Sequence, residues 1–223
     1  MSSVIRQGGF LLHEYVRFHG IIGIGTVVGL TMQQRSAAKR KQILDTAAQS
    51  IAENGYDGVT TNLVAERSGV PVGTLYRHFK DKRAILAALA VDYKRECGKM
   101  LRSELLAKST IASSDEMVAT KLVKLMRTFY ELYPVGGLLL VAEVHKDFSE
   151  VGLELRNEFI GVFGELFALR HPALSAKECE LRAMVCFNAL RSVMWNIPKA
   201  GTASRASLSK ETVRMIAGYL TNV

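Results

Sequence analysis

Between Thr60 and Lys82 the chain reads TTNLVAERSGVPVGTLYRHFKDK, with small residues, hydroxyls, an imidazole and cations at short spacing. Gly73 and Thr74 are small enough for their backbone to approach a partner closely. Thr74 can meet a base edge or a thymine methyl, and Arg77 can pair with guanine or with a phosphate. Tyr76, His78 and Lys82 suit phosphate oxygens, and Lys82 falls in the first turn of a following helix, where free backbone N–H groups favour an anion. This is the chemistry of recognising duplex DNA, without bond making.

Specific elements must position these groups. Thr60 or Thr61 can cap a first short helix, because a hydroxyl there accepts an orphan backbone N–H. Leu63, Val64 and Ala65 supply its buried side. Ser68-Gly69 marks a tight turn, with glycine tolerating a positive φ that other residues resist. Val70 plugs the turn. Pro71 suits the first turn of a second helix, to about His78, since its missing N–H is not needed there. Leu75 and Phe79, four apart, face inward; Val72, Gly73, Thr74 and Arg77 face outward, with Tyr76 and His78 on the flanks. Helix, turn and helix in this order place the second helix in a major groove.

The segment from about Arg35 to Leu89 resembles the amino-terminal domain of the TetR/AcrR family of bacterial regulators. The residues carrying the resemblance are Ile43-Leu44, Ala47-Ala48, Asn54-Gly55-Tyr56, Thr60-Thr61, Val64-Ala65-Glu66, Gly69-Val70, Gly73-Thr74-Leu75-Tyr76, His78-Phe79, Lys82 and Leu86. The resemblance implies an all-α fold, with three helices for DNA and a larger helical domain for a ligand and for dimerisation. It implies phosphate contacts at Tyr76, His78 and Lys82, and groove-proximal positions at Thr61, Gly73 and Thr74. Pro71 departs from the family, which more often has serine or another small polar residue there. The implied partners are double-stranded operator DNA, a small-molecule effector and a second copy of the chain, joined through the last two helices, about 176–197 and 208–221.

Composition agrees with an anionic partner. The 223 residues carry a formal net charge of +8, and the cations cluster at Arg35, Lys39, Arg40 and Lys41 and again at Arg67, Arg77, Lys80, Lys82 and Arg83. A phosphate-facing cluster makes binding salt-sensitive. The candidate DNA-contacting set is Lys39, Thr60, Thr61, Pro71, Val72, Gly73, Thr74, Tyr76, Arg77, His78 and Lys82. Cys97, Cys179 and Cys186 show no metal-ligand or CxxC spacing, and an odd count without a secretion signal fits a reducing cytoplasm. A thiol switch requires one of them to be exposed with a lowered pKa.

Residues 1–31 lie outside the family pattern. The apolar run Gly20 to Leu30 falls short of the roughly twenty residues a spanning helix needs. Met32 as the natural start, a disordered or weakly packed extension, and a membrane tether are the competing readings; no membrane role is expected. The expected domains are residues 32–82 for DNA binding, 83–107 as a connecting helix and 108–223 for effector binding and dimerisation.

The remaining pattern is helical. A helix is expected over Ser36–Asn54 and a long one after Asp81, to about Ala107. A loop at Lys108–Ser114 precedes a capping box at Ser113–Glu116. Helices are then expected to Tyr133, over Val135–His145 and over Ser149–Leu169. A second capping box at Ser175–Glu178 opens a helix to about Ile197. Gly201–Ala206 reads as a loop and Ser209–Thr221 as the last helix. Candidate ligand-contacting residues are Phe129, Tyr133, Phe163, Phe187, Asn188 and Trp195, with Phe159 and His145 beside them; scarce polarity points to a hydrophobic or amphipathic ligand. Glu143, His145 and Asp147 do not share a helical face, so no metal site is expected. No phosphate loop or GxSxG occurs, and neither catalysis nor a cofactor is expected. Two other readings stay open beside a ligand-released repressor: a DNA-binding regulator switched by cysteine oxidation, and a non-specific DNA-binding protein without effector.

Overall fold

The structure, a computed structural model, describes residues 31–141, 146–197 and 202–222. Among these, every regular element is helical: α1 (Met32–Asn54), α2 (Thr61–Ser68), α3 (Val72–His78), α4 (Lys82–Leu105), α5 (Lys108–Ile111), α6 (Asp115–Leu132), α7 (Pro134–Leu140), α8 (Lys146–Val151), α9 (Leu153–Arg170), α10 (Ala176–Asn196) and α11 (Thr202–Thr221). The Gly20–Leu30 run, Glu143, His145, Pro198 and Gly201 lie outside the described residues. No helix among the described residues is long and apolar enough to cross a membrane. The chain divides into two compact units, Met1–Leu89 and Ala90–Val223, and the division falls within α4.

In the first unit, Ile43, Leu44, Ala47 and Ile51 of α1 form one buried stripe. α1 packs on α2 and α3, and Val64 and Ala65 of α2, Leu75 of α3, Phe79, and Ile85, Leu86 and Leu89 of α4 are buried in the same unit. This is the apolar face that helical periodicity requires. α1 starts at Met32 instead of Ser36, because Thr31 and Gln34 form a reciprocal capping box: Thr31 Oγ1 accepts from Gln34 N and Gln34 Oε1 accepts from Thr31 N. Gly55 at φ 74° and Gly69 at φ 65° close α1 and α2. Of the two possible caps for α2, Thr60 is used, accepting from Leu63 N at 3.1 Å. Pro71 stands at the N-cap of α3, not inside it.

In the second unit, α9 packs on α10, α6 on α11, and α6 also on α7 and α10. Several boundaries differ from expectation, each for a tertiary reason. Lys108–Ile111 is a short helix, not a loop, and its end is held by Arg170. That guanidinium donates to the carbonyls of Thr110, Ile111 and Ser113 and pairs with Asp115 at 2.6 Å. Ser114, not Ser113, caps α6, accepting from Met117 N without the reciprocal carboxylate contact. The helix expected from Ser149 is interrupted at Gly152. A Cβ there would collide with the carbonyl oxygens of Leu139 and Phe148, so the position where the two helices meet has room only for glycine. α11 begins at Thr202, seven residues before the expected Ser209; serine and threonine disfavour helix only weakly when no glycine or proline intervenes. The capping box at Ser175 and Glu178 is present in both directions.

Within this unit the later part of α4 is tied to α9 by ion pairs. Lys94 reaches Glu154 at 2.8 Å, and Arg102 reaches both Glu158 and Glu165. Gly98 makes room for the Glu158 carboxylate, which would clash with any Cβ at that position.

Candidate nucleic-acid interface

α3 is a seven-residue helix whose inner face is anchored by buried Leu75 and, just past its end, by Phe79. That anchoring turns Val72, Gly73, Tyr76 and Arg77 to solvent, while Thr74 and His78 are half-buried. An added Cβ at Gly73 would meet nothing within 4 Å, so this glycine leaves an open surface on the helix. Pro71 is exposed beside it.

Tyr76 is fixed in place by α2: its phenol oxygen lies 3.0 Å from Thr61 Oγ1. Lys82 is half-buried; its Nζ donates to the carbonyl of Tyr56 at 2.8 Å and lies 4.1 Å from the centre of the Tyr56 ring. One of its three N–H donors is thus committed to positioning the ammonium at the start of α4. Asp81 caps that helix, its Oδ1 accepting from Ala84 N at 2.7 Å. A shallow open cleft of about 310 Å³ lies between the starts of α2 and α4, bounded by Thr60, Thr61, Tyr76, Lys80 and Lys82 together with Asp57, Val59 and Asp81. Helix starts and two lysines favour an anion here, and the two aspartates temper the field.

At the other end of α3 the charge is one-sided. Arg40 of α1 stacks over Phe79 at 5.5 Å. Burial holds the His78 imidazole below the usual histidine range, and Arg77, Arg40 and Lys39 add to the effect. His78 is therefore neutral near pH 7, and the neighbouring cations supply the charge. Lys39 itself is exposed. Tyr56, whose carbonyl and ring carry Lys82, is absent from the sequence-derived site; only its place beside the Asn54-Gly55 helix end hints at such a role.

Two family patterns match the chain. The pattern described as "Bacterial regulatory proteins, tetR family" covers residues 43–89, and that described as "Tetracyclin repressor-like, C-terminal domain" covers residues 115–220. The chain belongs to the TetR family. It is 45% identical over 53 residues to the class D tetracycline repressor of Escherichia coli, a match spanning 24% of each chain. It is 32% identical over 102 residues to the fatty acid metabolism regulator of Bacillus subtilis, covering 46% of this chain and 53% of that one. The chain thus spans less than two thirds of either relative. A solved structure of a fatty acid degradation regulator from Bacillus halodurans superposes with a TM-score of 0.63 at 20% identity, covering 81% of this chain and 95% of that one. At that identity the likeness concerns the TetR fold alone.

In the TetR-type second unit, the candidate ligand residues separate. Phe129, Tyr133, Phe163 and Phe187 are buried together with Phe159. Their rings pack directly: Phe129 on Phe159 at 5.0 Å, Phe129 on Tyr133 at 5.2 Å and Phe159 on Phe187 at 5.6 Å between centroids. Trp195 is half-buried. Asn188 is not brought to this cluster; it is exposed and donates to the Met184 carbonyl one turn back. All three cysteines are buried, and burial pushes the Cys97 and Cys186 thiols up to about 12.

Proposed function

We propose that this TetR-family chain is a homodimeric, sequence-specific repressor that leaves its operator when a small hydrophobic or amphipathic molecule enters the helical second unit. The observation carrying this reading is α3, held by Leu75 and Phe79 so that Val72, Gly73, Tyr76 and Arg77 face outward from a basic unit. In it, Val72, Gly73, Thr74 and Thr61 lie against the groove, and Arg77 pairs with guanine or phosphate. Tyr76, His78, Lys82 and Lys39 hold phosphates, with Thr60 and Pro71 at the helix starts beside them. The domain division of 32–82, 83–107 and 108–223 assigns the connecting role to α4, which is continuous across Leu89 and Ala90.

Dimerisation is supported by the outward apolar residues of the last two helices. Leu181, Met184 and Val185 of α10 and Leu208 and Met215 of α11 are exposed in a single chain. One reader helix contacts few base pairs, and a two-fold pair on a palindrome doubles the contacts.

The aromatic cluster supports an apolar effector, since its rings offer dispersion and little hydrogen bonding. Because those rings already pack on one another, the effector must displace side chains, and it releases DNA only through its greater affinity for the displaced state. The B. subtilis relative, a fatty acid metabolism regulator, accords with an apolar effector. Cysteine oxidation is disfavoured by three buried thiols.

The test is a gel shift with DNA upstream of the chain's own gene, in excess unrelated DNA, beside Tyr76→Ala and Lys82→Ala. A discrete complex that survives competition and weakens in both variants supports the reading. Equal binding to competitor points instead to the non-specific protein. Light scattering of Leu181→Glu, expected to give monomer, tests the dimer.

A further inference from the structure

At the edge of the aromatic cluster in the second unit, one polar group is poorly used. Tyr130 of α6 is half-buried, and its ring stands 6.3 Å from that of Phe129, edge to face. Its phenol donates to the backbone carbonyl of Arg191 at 3.5 Å, against the roughly 2.7–2.8 Å typical of an O–H···O bond. Burial pushes the phenol above the ordinary tyrosine range, and the Arg191 guanidinium draws it partly back. The hydroxyl is thus protonated at neutral pH and able to donate a better bond than the one it makes.

Arg191 brings a half-buried cation to the same place. It lies on α10 one turn after Phe187, a ring of the cluster, and one turn before Trp195. Residues four apart are neighbours on a helix surface, so Arg191 is lined up with Phe187. Its Nη1 donates to the carbonyl of Leu140, at the end of α7, at 3.2 Å. α7 lies directly on this corner. A Cβ at Gly137 would come within 2.9 Å of the Tyr130 ring, and one at Gly136 within 2.7 Å of the Phe129 ring. The two glycines let the α7 backbone reach both rings, and each weakens the helix relative to alanine. A seven-residue helix with two glycines yields to an incoming molecule more readily than the longer α6, α9 and α10.

We propose that Tyr130 and Arg191 bind the head group of the effector, and that this head group is a carboxylate on an apolar chain. The chain displaces α7 and lies against Phe129, Phe159 and Phe187. The carboxylate accepts from the Tyr130 hydroxyl, and from the Arg191 guanidinium in place of the Leu140 carbonyl. A guanidinium only donates, so the head group must accept, and a negative charge matches its cation. A neutral ester accepts without that gain, and an ammonium is repelled. This role for Tyr130 and Arg191 rests on the apolar-effector reading above and names the chemistry of the effector's polar end.

The experiment titrates the full chain with octanoate, methyl octanoate and octylamine, which share one apolar body and differ at the head. Trp195, the only tryptophan of the chain, sits one turn from Arg191 and reports binding by its fluorescence; melting temperatures read it a second way. Wild type should prefer octanoate to the ester by roughly tenfold and bind the amine least. Tyr130→Phe should weaken octanoate by roughly tenfold with the melting temperature of the free protein unchanged, since the bond it loses is long. Arg191→Gln should bring acid and ester to equal affinity. Wild type that binds all three alike overturns the carboxylate site and leaves an apolar effector in place. Octanoate binding unchanged in Tyr130→Phe overturns it too, as does octanoate that alters neither fluorescence nor melting temperature. The expected preference in a protein that forms no discrete complex with its upstream DNA supports the site and refutes the repressor reading alone.

Discussion

The Tyr76 phenol and the Thr61 hydroxyl lie 3.0 Å apart, joining the reader helix to the start of the helix before it. Tyr76 is 48% exposed, so the pair orients the ring more than it stabilises the fold. Tyr76→Phe should therefore change stability by less than about 0.5 kcal/mol and weaken DNA binding by about 1 kcal/mol, the net worth of one hydrogen bond. Thr61→Val should weaken binding similarly by freeing the ring. If Thr61→Val weakens binding and Tyr76→Phe leaves it intact, the phenol is not a phosphate donor.

Two glycines in the reader separate folding from binding. Gly69 has φ 65° and Gly73 lies within α3; neither would bring a new Cβ within 4 Å of another atom. Gly69→Ala forces a left-handed residue and should cost about 1–2 kcal/mol, seen as a lowered melting temperature. Gly73→Ala should leave stability equal or raise it by roughly 0.5–1 kcal/mol, while its methyl group keeps the helix from the groove and lowers operator affinity. A destabilised Gly73→Ala protein would contradict its outward placement.

Arg102 and Glu158 pair between α4 and α9, with Gly98 beneath the carboxylate. The Glu158 side chain is only 16% exposed, so removing its cation strands a partly buried charge. Arg102→Ala should destabilise by about 1–3 kcal/mol, and Glu158→Gln in that background should recover part of the loss. Equal stability of wild type and Arg102→Ala in urea titration would show the pair to be a solvated contact.

Acid should destabilise the fold before its carboxylates titrate. Burial, the largest cause, lowers both His78 and His171 from the ordinary 6.5, and nearby arginines lower them further; Asp115 partly offsets this at His171. Between pH 6.5 and their folded values the unfolded chain binds more protons. Stability is therefore complete above pH 6.5 and falls as the pH drops through that window. Urea midpoints at pH 7.5 and pH 5.5 should differ for wild type and converge for His78→Asn/His171→Gln. An unchanged wild-type midpoint would show that neither imidazole is held neutral.

Oxidation should not release DNA. Cys97, Cys179 and Cys186 are buried, and burial pushes the thiols of Cys97 and Cys186 up to about 12, which leaves little thiolate. Mild peroxide treatment is expected to leave the gel shift intact. Release that disappears in a triple serine variant would restore the thiol switch.

The reader was legible because its determinants are local. A threonine before a short apolar helix, a glycine at the turn and a proline before the next helix each act within a few residues, and Leu75 with Phe79 sets the facing of α3. Thr31 and Gln34 follow the same rule; their capping box was readable, although the expected start at Ser36 passed over it. Asn188 was harder, since a helical position among apolar residues does not say which side of α10 faces inward.

The sequence by itself determined an all-helical chain, a family-type reader and most of the helix stops, because caps, prolines and apolar periodicity operate over one or two turns. Tertiary structure alone decided the break at Gly152, where the Leu139 carbonyl needs the space of a missing Cβ. It also decided α5, whose end is held by Arg170 from another helix, and the tie of Lys82 to Tyr56. In each case one partner is distant in the chain, and no local preference of either residue encodes that they meet.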